Sequence, residues 1–488
     1  MRLQEKFPKS KSNPKNIARR MKKSKQREAD IKKRAANEKK IEKQELVYQM
    51  LIAMRQHFPE FLDWMREVDD CRSKASEYEL AAHLTACLAM FLFKSGSRNQ
   101  YNQYREDVRF KRNFKRIFGF DMPHGDSVHN VIQLLDVEQI EQLKHKMVQV
   151  LLQRRTFHPS RYRDQWFRIA VDATGIGSYD HQRDDQCLYT TSKKGKKTWF
   201  HSVLEARLVT PQGFSVSIAT VWIENPEDGE YDKQDCERKA FPRLAAKLKA
   251  QYPHLPMLIL ADGLYPYEGF FAICEANQWA FCVTFKEGNL PSAWKKVEEL
   301  KPLQVTNNLR ELIHLANGKI IENVFGWVTG VNYKGHIFNW LECLETVTTP
   351  NSDASKVKSE TTRFVQITSL PINASNIVET SLTGRLRWKI ENEGFNTLKN
   401  GGYEMEHQYA RKSYIALKNY FQFMQMAHLI HQLMTINTRF QENFMKTKNH
   451  PTLKNLWRDL VAAMQWFDFD EQELEYRIGV RQQFRFST

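Results

Sequence analysis

The chain has 488 residues, with 73 Lys and Arg against 57 Asp and Glu, a formal net charge of +16 and 41% apolar residues. That length and apolar content allow two or three domains with a sizeable core. The basic balance favours a polyanionic partner, without deciding between DNA, RNA and an anionic membrane.

Residues 1–45 hold 17 Lys or Arg against 6 Asp or Glu, so +11 of the net charge lies there with almost nothing to bury. Pro8 and Pro14 fall in its first part, and Ile17 to Gln44 has the composition of a solvated helix. A nucleic-acid-binding arm is expected, with a solubilising tail as the plainer alternative. The N-terminus lacks the apolar core of a signal peptide. The longest apolar run, Leu80 to Phe93, contains His83 and Thr85 and is too short to span a bilayer. A cytoplasmic protein with no membrane partner is therefore expected.

Residues 46–160 read as a helical, DNA-binding region. Glu77 to Phe93 is expected to be a buried helix. A loop at Pro123 leads into a helix with Asp126 as N-cap and with Val128, Val131, Ile132 and Leu135 on one face. Val137 to Leu152 follows as another helix. These short helices suit a helix-turn-helix module and a plain bundle equally.

Residues 161–286 change character. Phe167 to Val171 reads as a buried strand ending in Asp172, and Ser202 to Val209 and Phe214 to Ile223 alternate like strands about a Pro211-Gln-Gly213 turn. A helix over Asp235 to Gln251, an apolar strand Met257 to Ala261 ending in Asp262, a helix Tyr267 to Asn277 and a strand Ala280 to Phe285 complete a mixed α/β sheet. The seven cysteines include no CxxC pair, which argues against disulfides and structural zinc; His181 and Cys187 lie close together, but no second ligand pair follows.

Residues 287–370 read as an all-β insertion around a polar loop, Thr348 to Thr361. Residues 371–440 return to helix, from Ile377 through Arg387 and Glu391 to about Leu398, where Asn400-Gly-Gly402 breaks it. Helices from Gln408 to Thr438 and from Leu453 onward, the latter in a C-terminal region 441–488, finish the chain.

Cutting a phosphodiester without a covalent enzyme intermediate uses two divalent cations about 4 Å apart. Mg²⁺ takes carboxylate oxygens, and ligands gather at the carboxyl ends of strands. Asp172 in Ile169-Ala-Val-Asp172-Ala-Thr-Gly175 and Asp262 in Leu258-Ile-Leu-Ala-Asp262-Gly263 suit such a site. Each alone also suits a turn or a helix cap. Arg387 and Glu391, four residues apart, fall on one helix face.

Arg387-Trp-Lys-Ile-Glu391, with Lys399 after it, resembles the third catalytic block of insertion-sequence DDE transposases that carry a Tyr-Arg-Glu-Lys signature. The resemblance covers roughly residues 120–430. It implies a ribonuclease-H-like mixed sheet, with a β-rich insertion before the Glu and helical regions at both ends. Separations of 90 residues from Asp172 to Asp262 and 129 from Asp262 to Glu391 leave room for that insertion. It also implies that Asp172, Asp262 and Glu391 hold two Mg²⁺, with Mn²⁺ able to substitute, and that Arg387 and Lys399 contact DNA phosphates. The partners implied are double-stranded element ends and target DNA, bound by a homodimer. Two rival readings share much of this: another ribonuclease-H-like metal nuclease, and a non-enzymatic DNA-binding protein derived from a transposase.

The sequence departs from the signature at two places. Gly384 stands where the Tyr falls, and Leu398 where the Lys falls. Lys399 is one residue later, eight residues after Glu391 and about 80° from it around a helix at 100° per residue, and a one-residue π-bulge near Gly394 would bring it back into phase. Glu393 rivals Glu391 as the acid, and the register with Arg387 favours Glu391. Asp235 and Glu237 read as the start of a helix, where acids suit the dipole.

Overall fold

A computed structural model describes residues 43–73, 76–225, 236–350, 357–407, 409–410, 412–446 and 452–484. The basic arm, its expected helix up to residue 42, and Asp235 lie outside the described residues. The first described helix, α1, covers residues 43–57.

The N-terminal helices are α2 (Phe61–Arg66), α3 (Leu80–Leu92), α4 (Arg98–Glu106), α5 (Val108–Phe118), α6 (Gly125–Ile132) and α7 (Val137–Gln153). Every residue of α3 is buried, as its composition demands. The cap of α6 differs from expectation. His124, not Asp126, is the N-cap and accepts from the Asp126 backbone N–H at 3.3 Å, while the Asp126 carboxylate pairs with Arg98 at 2.8 Å. Val128, Val131, Ile132 and Leu135 are all buried.

The sheet elements are β1 (Phe167–Tyr179), β2 (Leu188–Thr191), β3 (Lys197–Val209) and β4 (Ser215–Ile223). After α8 (Glu237–Gln251) come β5 (Met257–Ala261), α9 (Glu268–Ala276) and β6 (Ala280–Thr284). The next segment is not all-β, because it opens with α10 (Pro291–Leu300), whose apolar residues Ala293 and Val297 are buried. It continues as β7 (Asn308–His314), β8 (Ile320–Tyr333), β9 (His336–Pro350) and β10 (Val357–Thr368). Nor is it a separate sheet. Gln366 to Thr368 of β10 pair antiparallel with Thr284 to Cys282 of β6, giving one ten-stranded mixed sheet in the order β2-β3-β1-β5-β6-β10-β9-β8-β7, with β4 beside β3.

Strand β1 is central. It pairs parallel with β5, which pairs parallel with β6, and antiparallel with β3, which pairs antiparallel with β4. This pairing corrects the expected end of the strand. β1 passes through Asp172 to Tyr179, because β3 remains beside it as far as Trp199 after β5 has stopped.

Beyond the sheet lie α11 (Ile377–Arg385), a π-helix over Ile390–Asn396, α12 (Thr397–Asn400), α13 (Tyr414–Thr435), α14 (Thr438–Phe440), α15 (Leu453–Trp466) and α16 (Glu471–Gly479). Helix α13 is the axis of the core. It packs on α3, α6, α7 and β4, and Asn419 ties it to the end of α6 by donating to the Ile132 and Leu135 carbonyls at 2.9 and 3.0 Å. Among the described residues, no helix is long and apolar enough to cross a membrane.

Candidate active site

The parallel register of β1 and β5 runs Ile169↔Ile259 and Ala170↔Leu260. Two residues further along each strand stand Asp172 and Asp262, so the common offset brings them side by side where β5 ends. Asp262 is fixed by its turn: its Oδ1 accepts from the Leu264 N–H at 2.7 Å, and Lys286 Nζ lies 3.7 Å from Oδ2. A Cβ on Gly263 would lie 2.7 Å from the Lys286 side chain, so the close approach of that side chain depends on glycine here.

Glu391 reaches Asp172 through one guanidinium. Arg387 Nη1 donates to Asp172 Oδ2 at 3.1 Å and to Glu391 Oε1 at 2.8 Å. Arg387 is buried and lies over the Trp388 ring at 4.4 Å. The expected free phosphate-binding side chain is therefore held between two carboxylates in this structure. Its segment is not a regular helix either. α11 stops at Arg385, and tight bonds from Lys389 N–H to the Leu386 carbonyl and from Ile390 N–H to the Arg387 carbonyl lead into the π-helix.

The π-helix contains Gly394, which packs closely against β3 and β4. A Cβ would meet Arg207 Nε and Ser215 Oγ at 3.0 Å. Glu393 points elsewhere and pairs with Lys389. Lys399 pairs with Glu406 at 3.0 Å, and no contact joins it to the carboxylates. Gly384 is also explained by packing. A Cβ there would lie 2.5 Å from the buried Gln366 side chain, which donates to the Ser381 carbonyl, so a tyrosine has no room unless Gln366 moves.

A fourth acid joins this group. Glu237, the first residue of α8, places its carboxylate so that its charge raises Asp172, and Asp262 in turn raises Glu237. Burial is the larger cause of the upward shift in both, and pushes Asp172 to about 7. The hydroxyl of Tyr265, a fully buried ring, faces the Glu237 carboxylate, and the hydrogen bond between them partly offsets the burial that raises Glu237. Reading Glu237 only as a helix-start acid missed this.

Under the site lies a buried pair. Glu205 of β3 is opposite Asp172. Arg207 Nη1 donates to Glu205 Oε2 at 3.3 Å and to Gln425 at 2.9 Å, Nη2 to the Ser215 carbonyl at 2.7 Å, and Nε to Ser215 Oγ at 3.0 Å. Both side chains have zero exposure, so β3, β4 and α13 share one polar network.

The upward shift of Asp172 carries a sign. Its carboxyl binds its proton more tightly in the fold than in the unfolded chain, whose value is near 3.8. Stability therefore falls as pH rises from about 4 to about 7, and stays at the lower level above that. In the presence of a chelator, Asp172→Asn should flatten this slope and melt higher than wild type at pH 8. Thermal melts of both proteins across that range check it; an equally steep fall in the variant would place the shift elsewhere.

No protein-family model matches the chain, and no curated protein matches it.

Proposed function

We propose that this chain is a DDE transposase that cuts the ends of a mobile element and joins them to target DNA. The observation that carries the reading is the convergence of three acids distant in sequence. The parallel register of β1 and β5 leads to Asp172 and Asp262 at the same offset, and Glu391 shares Arg387 with Asp172. The sheet supports it too: a β4-β3-β1-β5-β6 order, with β3 antiparallel to both neighbours and β5 and β6 parallel to β1, is what a ribonuclease-H-like core requires.

The donor set suits Mg²⁺, with Mn²⁺ as substitute. All its atoms are hard carboxylate oxygens. Asp172, Asp262 and Glu391 would be the ligands, with Glu237 beside them. Two such ions would activate the attacking water or DNA 3′-OH and stabilise the departing oxygen.

The chain's own residues prepare this. Burial and like charge hold Asp172 ready to exchange a proton for a cation near neutral pH. Arg387 balances the acids, and with Asp172 and Glu391 engaged elsewhere its planar fork would be free to take a phosphate. Lys399 would leave Glu406 to contact the DNA backbone. Residues 1–45 would supply sequence-independent affinity through their charge, and a homodimer would hold two ends together.

The test is cleavage and strand transfer on DNA carrying the inverted repeats that flank the gene. Wild-type protein should require Mg²⁺ or Mn²⁺, and Asp172→Asn and Asp262→Asn should each be inactive while still binding the DNA. Cleavage without joining would instead indicate a nuclease of similar core. Binding with no cleavage under any metal would indicate a non-enzymatic descendant.

A further inference from the structure

A second group of ligands lies four residues along β3 from Glu205. His201 is on β3, opposite Ile176 of β1. Cys187 ends the β1–β2 connection, and its N–H donates to the Asp184 carbonyl at 3.3 Å, a turn that sets the Asp184 carboxylate beside the Cys187 thiol. Cys187 and His201 are buried, while about a third of the Asp184 side chain is exposed.

The three donor atoms converge. His201 Nε2 is 3.5 Å from Cys187 Sγ and 3.0 Å from Asp184 Oδ2, and all three ligand atoms lie within 4.8 Å of one another. Ligand atoms about 2.0–2.3 Å from a tetrahedral ion stand about 3.3–3.7 Å apart, close to this spacing. The ring is also oriented for it. The Tyr179 hydroxyl lies 3.2 Å from Nδ1 and the Tyr414 ring stacks on the imidazole at 4.6 Å. Nε2 here donates to the Asp184 carboxylate, and with Nδ1 held by the Tyr179 hydroxyl a cation would take the place of that Nε2 proton.

A nucleophilic Cys–His–Asp triad is ruled out by the same geometry. There the acid must hold Nδ1 while the thiol faces Nε2, whereas here acid and thiol share Nε2. We propose that Asp184, Cys187 and His201 form a site for a zinc-class divalent cation, with water completing the shell on the exposed Asp184 side. The mixed sulfur, nitrogen and oxygen donors select Zn²⁺ over Mg²⁺, so this site is chemically separate from the four carboxylates and does not rest on the transposase reading. The sequence argued against zinc, because His181 and Cys187 lie close together with no second ligand pair after them. His181 is exposed, and the ligand comes instead from the neighbouring strand.

Chelator-stripped full-length protein should be titrated with Zn²⁺ alone and with Co²⁺ alone. One Zn²⁺ should bind and raise the melting temperature where Mg²⁺ does not. Co²⁺ should give thiolate charge-transfer absorption and the strong visible bands of a tetrahedral ion. Cys187→Ser should lose the charge-transfer band, and Asp262→Asn should keep it. Asp184→Asn, a change on the half-exposed turn that leaves the core intact, should weaken Zn²⁺ binding at least about tenfold. A wild-type protein without the thiolate band, or a band that survives in Cys187→Ser, would overturn the site and leave a hydrogen-bonded cluster only.

Discussion

Glu391→Gln should reduce cleavage of element ends at least about 1,000-fold, because even partners one shell removed from a metal cost 10–100-fold. The variant keeps the size of the side chain and its ability to accept from Arg387 Nη1, now 2.8 Å away, but gives up the charge that would hold a cation. DNA binding should persist, since it rests on Lys and Arg contacts to phosphates. Glu393→Gln is the matched control. That acid pairs with Lys389 on a different side of the π-helix, and activity should stay within about tenfold of wild type, as expected for the loss of a single partly exposed ion pair. Single-turnover cleavage by the two variants decides. A dead Glu393→Gln with an active Glu391→Gln would show that the π-helix turns over when DNA binds.

The largest loss of stability should come from Arg207→Ala. Glu205 would then be a fully buried carboxylate with only Thr220 still donating to it, and breaking a buried pair from one side costs about 3–5 kcal/mol. Burial brings the Arg207 guanidinium down to about 10, so it is still charged at neutral pH and the pair is ionic. Gln425 would lose the Arg207 donor as well, while the Ser215 carbonyl would keep Gln432. Chemical denaturation measures this. Glu205→Gln combined with Arg207→Met should recover part of the loss, because neither charge is then stranded. A cost below about 1 kcal/mol for Arg207→Ala would mean that the site relaxes and admits water. Since Gly394 rests on Arg207, the variant should also lose activity at temperatures where it remains folded.

Elements whose signal is local were legible in the sequence. Met257 to Ala261 is wholly apolar and is strand β5 with those bounds; Leu80 to Leu92 is buried on all sides because it has almost no polar face. Features set by distant partners were not. The Ala-Thr-Gly after Asp172 looks like a strand end, yet β3 sustains the strand to Tyr179. α10 was hidden among β-type runs, since only Ala293 and Val297 are fully buried in it, with Trp294 and Leu300 packed at the edge of the core. In the site, the pairing of Arg387 with Glu391 followed from their spacing, and Asp172 and Asp262 from their place after apolar runs. Glu237 gains its meaning from Tyr265 and Asp262, and His201 from a turn on another strand, and no local pattern records either.

The pairing of β10 with β6 makes the outer strands a beam cantilevered from the catalytic ones. A load applied at β7 passes through β8, β9 and β10 to β6, and then to the strand that ends at Asp262. Each joint is a ladder of hydrogen bonds, stiff in the plane of the sheet. The compliant point is in β8, where the register shifts between Val328 and Val331 and Gly330 takes a φ of 74°. Tension on the far edge would therefore bend the beam at that bulge and leave the spacing of Asp172 and Asp262 unchanged.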